Sequence, residues 1–299
     1  MGRLTYKLPA LVLLAATTSV SWAAHKSFDK HFDVSAGGQL VVNTSVGSVA
    51  VVGQDSRQVV VHAEITGSEA FVDDFTITAE QQSSDVTVRG YGSRSWLDWF
   101  FSMKRVHFVI SVPRDYRLDV QTSGGSIDVR NLTAAVKGRT SGGGISVQDV
   151  TGAVDMRTSG GGIDGNRLEG PTELETSGGG IDLTDCTGNL DVHTSGGSIR
   201  VHGVDGRIVA TTSGGSIYVE AHANRGASLI TSGGSVTLLL PADAHATLDA
   251  ETSGGGVRVD FPLTSTTIVT RTHVRGAING GGDSVALHTS GGSVHVGQL

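Results

Sequence analysis

Residues 158–175 read TSGGGIDGNRLEGPTELE, and residues 176–193 read TSGGGIDLTDCTGNLDVH. Both stretches are 18 residues long and open on Thr-Ser-Gly-Gly, which also begins at Thr122, Thr140, Thr194, Thr212, Thr231, Thr252 and Thr289. The first five spacings are all 18, and the later ones are 19, 21 and 37. Self-similarity at a fixed period marks an architecture of stacked units. Five residues beyond each threonine stands an isoleucine or valine, from Ile127 through Ile163 and Ile181 to Val294. Seven beyond stand Val129, Val147, Leu183 and Val201, with Gly165 as the exception. Residues two apart on an extended chain share a face, so each unit holds a short strand that buries this pair.

A second alternating segment precedes the threonine, with Leu118 and Val120, Val154 and Met156, Leu190 and Val192, or Leu248 and Ala250 on one face. The Gly-Gly pair between the segments, and a further glycine at Gly152, Gly170, Gly188 and Gly206, predict turns with positive φ at fixed places. One unit has too few apolar side chains for a core of its own, and stacking units about 4.8 Å apart supplies one. The fold class that follows is all-β: a single-chain parallel β-helix or β-solenoid with 18-residue coils and an N-terminal β cap. Cys186, ten residues after Thr176, aligns with Leu132, Val150, Leu168 and Val204, which predicts a buried, unreactive thiol.

Residues 1–23 read as a signal peptide: Arg3 and Lys7 precede an uncharged stretch, Leu8 to Val20, too short to span a bilayer, and Ser21 and Ala23 suit cleavage after Ala23. No transmembrane helix is expected after that cut. Removing Arg3 and Lys7 from the 22 basic side chains leaves 20 against 29 acidic ones, a net charge of −9. With no Lys/Arg cluster to override that charge, nucleic acid is not an expected partner. A single cysteine allows no internal disulfide, so packing and hydrogen bonds must hold the chain together.

Residues 24–117 form a predicted N-terminal β region that caps the solenoid of residues 118–299. It carries one faded repeat, Asn43-Thr-Ser-Val-Gly-Ser-Val, and alternating runs at Val59 to Ala63, Phe75 to Thr78, Asp85 to Arg89 and Val106 to Val112. Within it, residues 95–104 (SWLDWFFSMK) hold both tryptophans beyond the signal segment. A capping helix presenting Trp96, Phe100 and Met103 is one reading; a partner or membrane contact through Trp96, Trp99, Phe100 and Phe101 is the other. Phe261 to Gly282 reads as one irregular coil without the motif. The chain stops at Leu299 soon after the last buried valine, which predicts an open C-terminal strand edge, bare or covered by a partner.

The pattern resembles the putative-adhesin β-repeat family of bacterial envelope proteins, a domain family of unknown function related to autotransporter-adhesin head domains. Nine Thr-Ser-Gly-Gly copies, the opening Asn43-Thr-Ser-Val-Gly-Ser-Val and the closing Gly276-Ala-Ile-Asn-Gly-Gly-Gly282 carry the resemblance. It implies an exported β-solenoid of the periplasm or cell surface. It supplies no catalytic residues.

The residues themselves offer no active site. Phosphate-cradling glycine loops precede helices, whereas each Gly-Gly here leads into a strand. Calcium-binding β-rolls repeat an aspartate every nine residues; here the equivalent column reads Asp128, Ser146, Asp164, Asp182, Arg200 and Tyr218, leaving Asp164 and Asp182 as the one adjacent pair. His193 and His202 stand without a ligand constellation and read as surface residues. Catalytic, cofactor-binding and metal-binding assignments are therefore none. The expected function is a non-enzymatic exported envelope protein, an adhesin or surface-binding solenoid whose partner is a surface glycan or an envelope protein. The alternatives are a polysaccharide-processing β-helix enzyme and an accessory protein that binds its partner through the C-terminal strand edge.

Overall fold

The computed structural model describes residues 24–92 and 105–299. The signal segment with its cleavage site, and Trp96, Trp99, Phe100 and Phe101, lie outside the described residues. Each coil gives one strand to each of two sheets, which hold 13 and 14 strands among the described residues. The isoleucine sheet takes the strand after each Thr-Ser-Gly-Gly; the threonine sheet takes the strand that ends on the threonine. Ile127, Ile145, Ile163, Ile181, Ile199 and Ile217 pair in turn across successive parallel strands. Thr122, Thr140, Thr158, Thr176, Thr194 and Thr212 do the same in the other sheet. The inward side chains of both sheets meet in one continuous core. Cys186 pairs between Leu168 and Val204 and is buried, as its column requires.

The threonine is the buried polar residue that recurs in every Thr-Ser-Gly-Gly coil. Its hydroxyl is satisfied by the coil behind: Thr158 Oγ1 donates to the Gly143 carbonyl at 2.7 Å, Thr176 to Gly161 at 2.7 Å, and Thr194 to Gly179 at 2.8 Å. A buried hydroxyl without such a partner would cost about 1–3 kcal/mol. The same contact explains the glycines, and differently from the sequence expectation. None of the Gly-Gly glycines has positive φ. The second one is required because a Cβ on Gly179 would stand 2.2 Å from the Gly161 carbonyl oxygen. Close coil-to-coil approach, not turn geometry, fixes that residue. Positive φ belongs to the opposite corner, where Gly152, Gly170 and Gly188 adopt it. So do Asn131, Asp149, Arg167 and Asp185, each the second of two consecutive outward residues, so that the alternation shifts by one and the next side chain (Leu132, Val150, Leu168 or Cys186) points inward.

Two glycines at inward positions are compensated by a larger neighbour in the next coil. A Cβ on Gly138 would meet Met156 Sδ at 2.5 Å, and one on Gly165 would meet Leu183 Cδ2 at 2.5 Å. The column keeps its volume although single positions vary.

At both ends the stacking order departs from the chain order. The coil formed by Gln39–Thr44 and Ser48–Gln54 lies between the coil of Asp85–Tyr91 and Arg105–Pro113 and the first motif coil. Antiparallel strands Gln58–Gly67 and Ala24–Asp33 then close the isoleucine sheet, and Thr76–Gln82 closes the threonine sheet. A short helix, Glu69–Asp74, joins these cover strands and buries Phe71 and Val72. Tyr116 pins the same end: its hydroxyl donates to the Ser84 carbonyl, and burial, with Asp85 and Asp115 adding to it, pushes its pKa up to about 12.

The C-terminal end corrects two expectations. The last coil in sequence, Ser284–Thr289 with Val294–Gln298, is not the last in space. It pairs on one side with Ala227–Thr231 and Val236–Leu240, and on the other with Ala246–Thr252 and Val257–Val259. The predicted open edge at the C-terminal strand is therefore absent: that strand is paired on both sides. Phe261 to Gly282 makes no irregular coil; Leu263–Val269 and His273–Ile278 form an antiparallel hairpin that extends the threonine sheet. The real edges are blunted: Ala24–Asp33 carries Lys26, Asp29, Lys30 and Asp33, Val257–Val259 has only 3 residues, and Leu263–Val269 has two register breaks.

Candidate functional site

The sequence singled out no catalytic or metal residue, and a lateral groove is built from a column that the sequence reading did not align. A groove of about 790 Å³ runs along the stack beside the start of the threonine-sheet strands. Its base is made by the residues five before each threonine, which read Arg117, Ala135, Ala153, Pro171, Asn189 and Arg207. Four short side chains stand between two arginines along this trough. Six coils at about 4.8 Å give it a length of about 24 Å. Its polar wall is the column three before the threonine: Asp119, Lys137, Asp155, Glu173 and Asp191.

Parallel in-register pairing brings these heads side by side, because Asp155 is the strand partner of both Lys137 and Glu173. Lys137 Nζ lies 3.7 Å from Asp155 Oδ2. Arg157 Nε donates to Asp155 Oδ1 at 3.0 Å, and its other nitrogens bind Glu173 and Glu175. The oxygens of Asp155 and Glu173 are thus engaged by the protein's own cations. Asp119 differs: among the described residues its Oδ1 is the buried side-chain oxygen without a hydrogen-bond partner. The trough therefore offers fixed charges of both signs along the wall and apolar surface from Ala135, Ala153 and Pro171 at its base.

The other candidates stay on exposed faces. Asp164 and Asp182 are register partners, and Asp164 titrates above the usual carboxylate range through burial first and Asp182 second. Arg200 donates to Asp182 at 3.3 Å, so the pair is partly neutralised by the next coil. Among the described residues no group of three or more His, Cys, Asp or Glu side chains is arranged to hold a metal. His193 lies 3.4 Å from Asp191. His202 Nδ1 lies 3.1 Å from Glu220 Oε2 and its ring packs on Tyr218, 5.3 Å between centroids. Hydrogen bonds from the Tyr218 hydroxyl, then from His202, hold the Glu220 carboxyl below its ordinary range. Burial pushes the Cys186 thiol up to about 11, which leaves little thiolate at neutral pH.

No curated protein matches the chain. Among solved structures it is similar to a "putative cell adhesion protein" from Clostridium sporogenes ATCC 15579 at 12% identity, over 92% of this chain and 100% of that one, with a TM-score of 0.32. It is also similar to a "putative adhesin" from Bacteroides fragilis NCTC 9343 at 11% identity, over 92% and 97% of the two chains, with a TM-score of 0.40. A "putative lipid binding protein" from Parabacteroides distasonis ATCC 8503 matches at 11% identity, over 91% and 96%, with a TM-score of 0.40. A family profile, Toastrack DUF4097, covers residues 38–297, from the first coil of the stack to the last strand. With the stacked coils and nearly the whole chain inside that profile, the protein belongs to the Toastrack DUF4097 family.

Proposed function

We propose that this chain is a non-catalytic binding protein of the cell envelope, exported by its N-terminal segment, and that it holds a linear glycan along the lateral groove. The observation that carries the reading is the trough itself, with charged side chains from Asp119 to Asp191 running beside exposed apolar residues along several coils. A glycan strand presents hydroxyl donors and acceptors at its edges and C–H surface on its ring faces. The first suit Lys137 and Asp191, and the second suits Ala153 and Pro171. Several weak contacts repeated along a rigid stack add up to useful affinity when the ligand is itself a repeating chain.

Residues 24–299, purified and screened against immobilised neutral and amino-sugar polysaccharides, should bind at least one class. Ala153→Arg, which fills the exposed trough, should weaken that binding at least tenfold, and Asp191→Ala should weaken it by a smaller factor, with unchanged thermal unfolding. Failure to bind any polysaccharide, or full binding by the filled variant, would overturn the reading. Fractionation of cells that make the native protein tests its location: recovery in the cytosol would rule out an envelope role.

A further inference from the structure

We infer that the C-terminal coil, residues 283–299, is an exchangeable element, and that the partner it fits is the same slot in a second copy of this chain. The slot is one coil wide. Ala227–Thr231 and Ala246–Thr252 are consecutive strands of the threonine sheet in chain order, yet they do not touch; both pair with Ser284–Thr289 instead. In the isoleucine sheet Val236–Leu240 and Val257–Val259 stand apart in the same way, with Val294–Gln298 between them. The main part of the chain thus folds around a gap that its own terminus fills.

The occupant is specified by chemistry that this sequence supplies. Thr289 Oγ1 donates to the Gly234 carbonyl at 2.7 Å, and Thr252 Oγ1 donates to the Gly292 carbonyl at 2.6 Å, so the coil both continues and completes the threonine ladder. Val285, Leu287, Val294 and Val296 are buried in the common core. A segment lacking Thr-Ser-Gly-Gly between two alternating aliphatic runs would leave carbonyls unpaired or place a Cβ against a backbone oxygen. Gly292 itself could take no side chain, because its Cβ would lie 2.3 Å from the Gly234 oxygen.

The connection can open at the cost of a few hydrogen bonds, those from Asn279 Nδ2 to the Ala242 and Ala244 carbonyls and from the Gly280 amide to Thr264 Oγ1. Asn279, Gly280 and Gly281 all have positive φ (49°, 87° and 90°), and a Cβ on Gly280 would meet nothing within 4 Å. A glycine-rich link to a terminal element can extend with little steric cost, and exchange of an identical element conserves every contact it makes at home. Reciprocal donation between two chains gives a closed dimer, and chain-wise donation gives longer assemblies.

The test uses two full-length chains, each with one new thiol. Ser228 and Ala286 are register partners on the outer face of adjacent strands, one half-buried and one exposed. Chains carrying Ser228→Cys alone and Ala286→Cys alone, with different tags, are unfolded together, refolded at high concentration and oxidised. Exchange predicts a disulfide-linked heterodimer on a non-reducing gel that neither chain forms alone. Unmodified protein refolded in the same way should show, by sedimentation, a species of twice the monomer mass that dilution does not quickly reverse. Monomer alone in sedimentation, with no covalent heterodimer from chains whose circular dichroism is native, would overturn the inference.

Discussion

From Arg117 to Ala221 sequence neighbours are also spatial neighbours, each coil lying on the one 18 residues before it; at either end they are not. In the middle each contact is made between equivalent residues, so one favourable arrangement is copied along the stack, as in other repeat architectures. At the ends, antiparallel strands and a permuted coil replace the copy. The physical reason is the sheet edge: a uniform stack would end on a row of unpaired amides and carbonyls and a bare core. Sinking the chain terminus one coil deep pairs it on both sides, and a hairpin with broken register takes the exposed position. Regularity stabilises the middle, and irregularity stops its growth.

The sharpest way to break the middle is at the glycine that touches the neighbouring coil. Gly179→Ala puts a methyl carbon 2.2 Å from the Gly161 oxygen and should cost about 3 kcal/mol or more in urea unfolding. Gly280→Ala at the end has room but a φ of +87°, and should cost only about 1 kcal/mol. Equal losses at the two sites would remove the distinction between packing and backbone glycines.

A smaller effect follows from Thr176→Val, which keeps the shape and removes the donor to Gly161. Leaving that carbonyl unpaired should cost about 1–2 kcal/mol in the same assay. No change would mean that the threonine ladder is not a stabilising feature of the corner.

The C-terminal cover should also respond to acid. Arg275 first, and His273 after it, lower the Asp249 pKa, tying the hairpin strand to Ala246–Thr252. Because the folded value lies below the unfolded one, the contribution is fully present above about pH 4 and is lost as pH falls through the folded value. The Asp249 side chain is 41% exposed, so solvent screening should keep the effect under about 1 kcal/mol. Asp249→Asn should lower the urea midpoint at pH 6 and match the parent near pH 2.5; a constant gap at both would contradict the assignment.

The smallest change expected is a gain. Arg167 occupies the left-handed position that Asn131, Asp149 and Asp185 hold in neighbouring coils. Arg167→Asn relieves that backbone at the expense of an exposed ion pair with Asp149, and should raise the urea midpoint slightly. A lowered midpoint would show the ion pair to be the stronger term.

Much of this was legible residue by residue. Aligning the repeats on the threonine places Ile145, Ile163 and Ile181 in one column and Cys186 between Leu168 and Val204, as found. The groove was legible only in part: Asp119, Lys137, Asp155, Glu173 and Asp191 align in the same register, but a column of charges on a solenoid is ordinarily a solvated face. It becomes the wall of a trough because short residues from Ala135 to Asn189 lie beside it between two arginines, around a corner that the repeat does not describe.

The sequence alone determined the coil: its length, which side chains face inward, and the ladder on which successive coils register, because 18-residue periodicity and two-residue alternation are local and repeated. Tertiary structure decided where the coils stop and in what order they lie. Which coil neighbours which depends on pairing between segments dozens of residues apart, and every Thr-Ser-Gly-Gly unit offers nearly the same pairing surface. Only the competition to cover open edges selects the arrangement in which the last coil of the chain lies inside the stack.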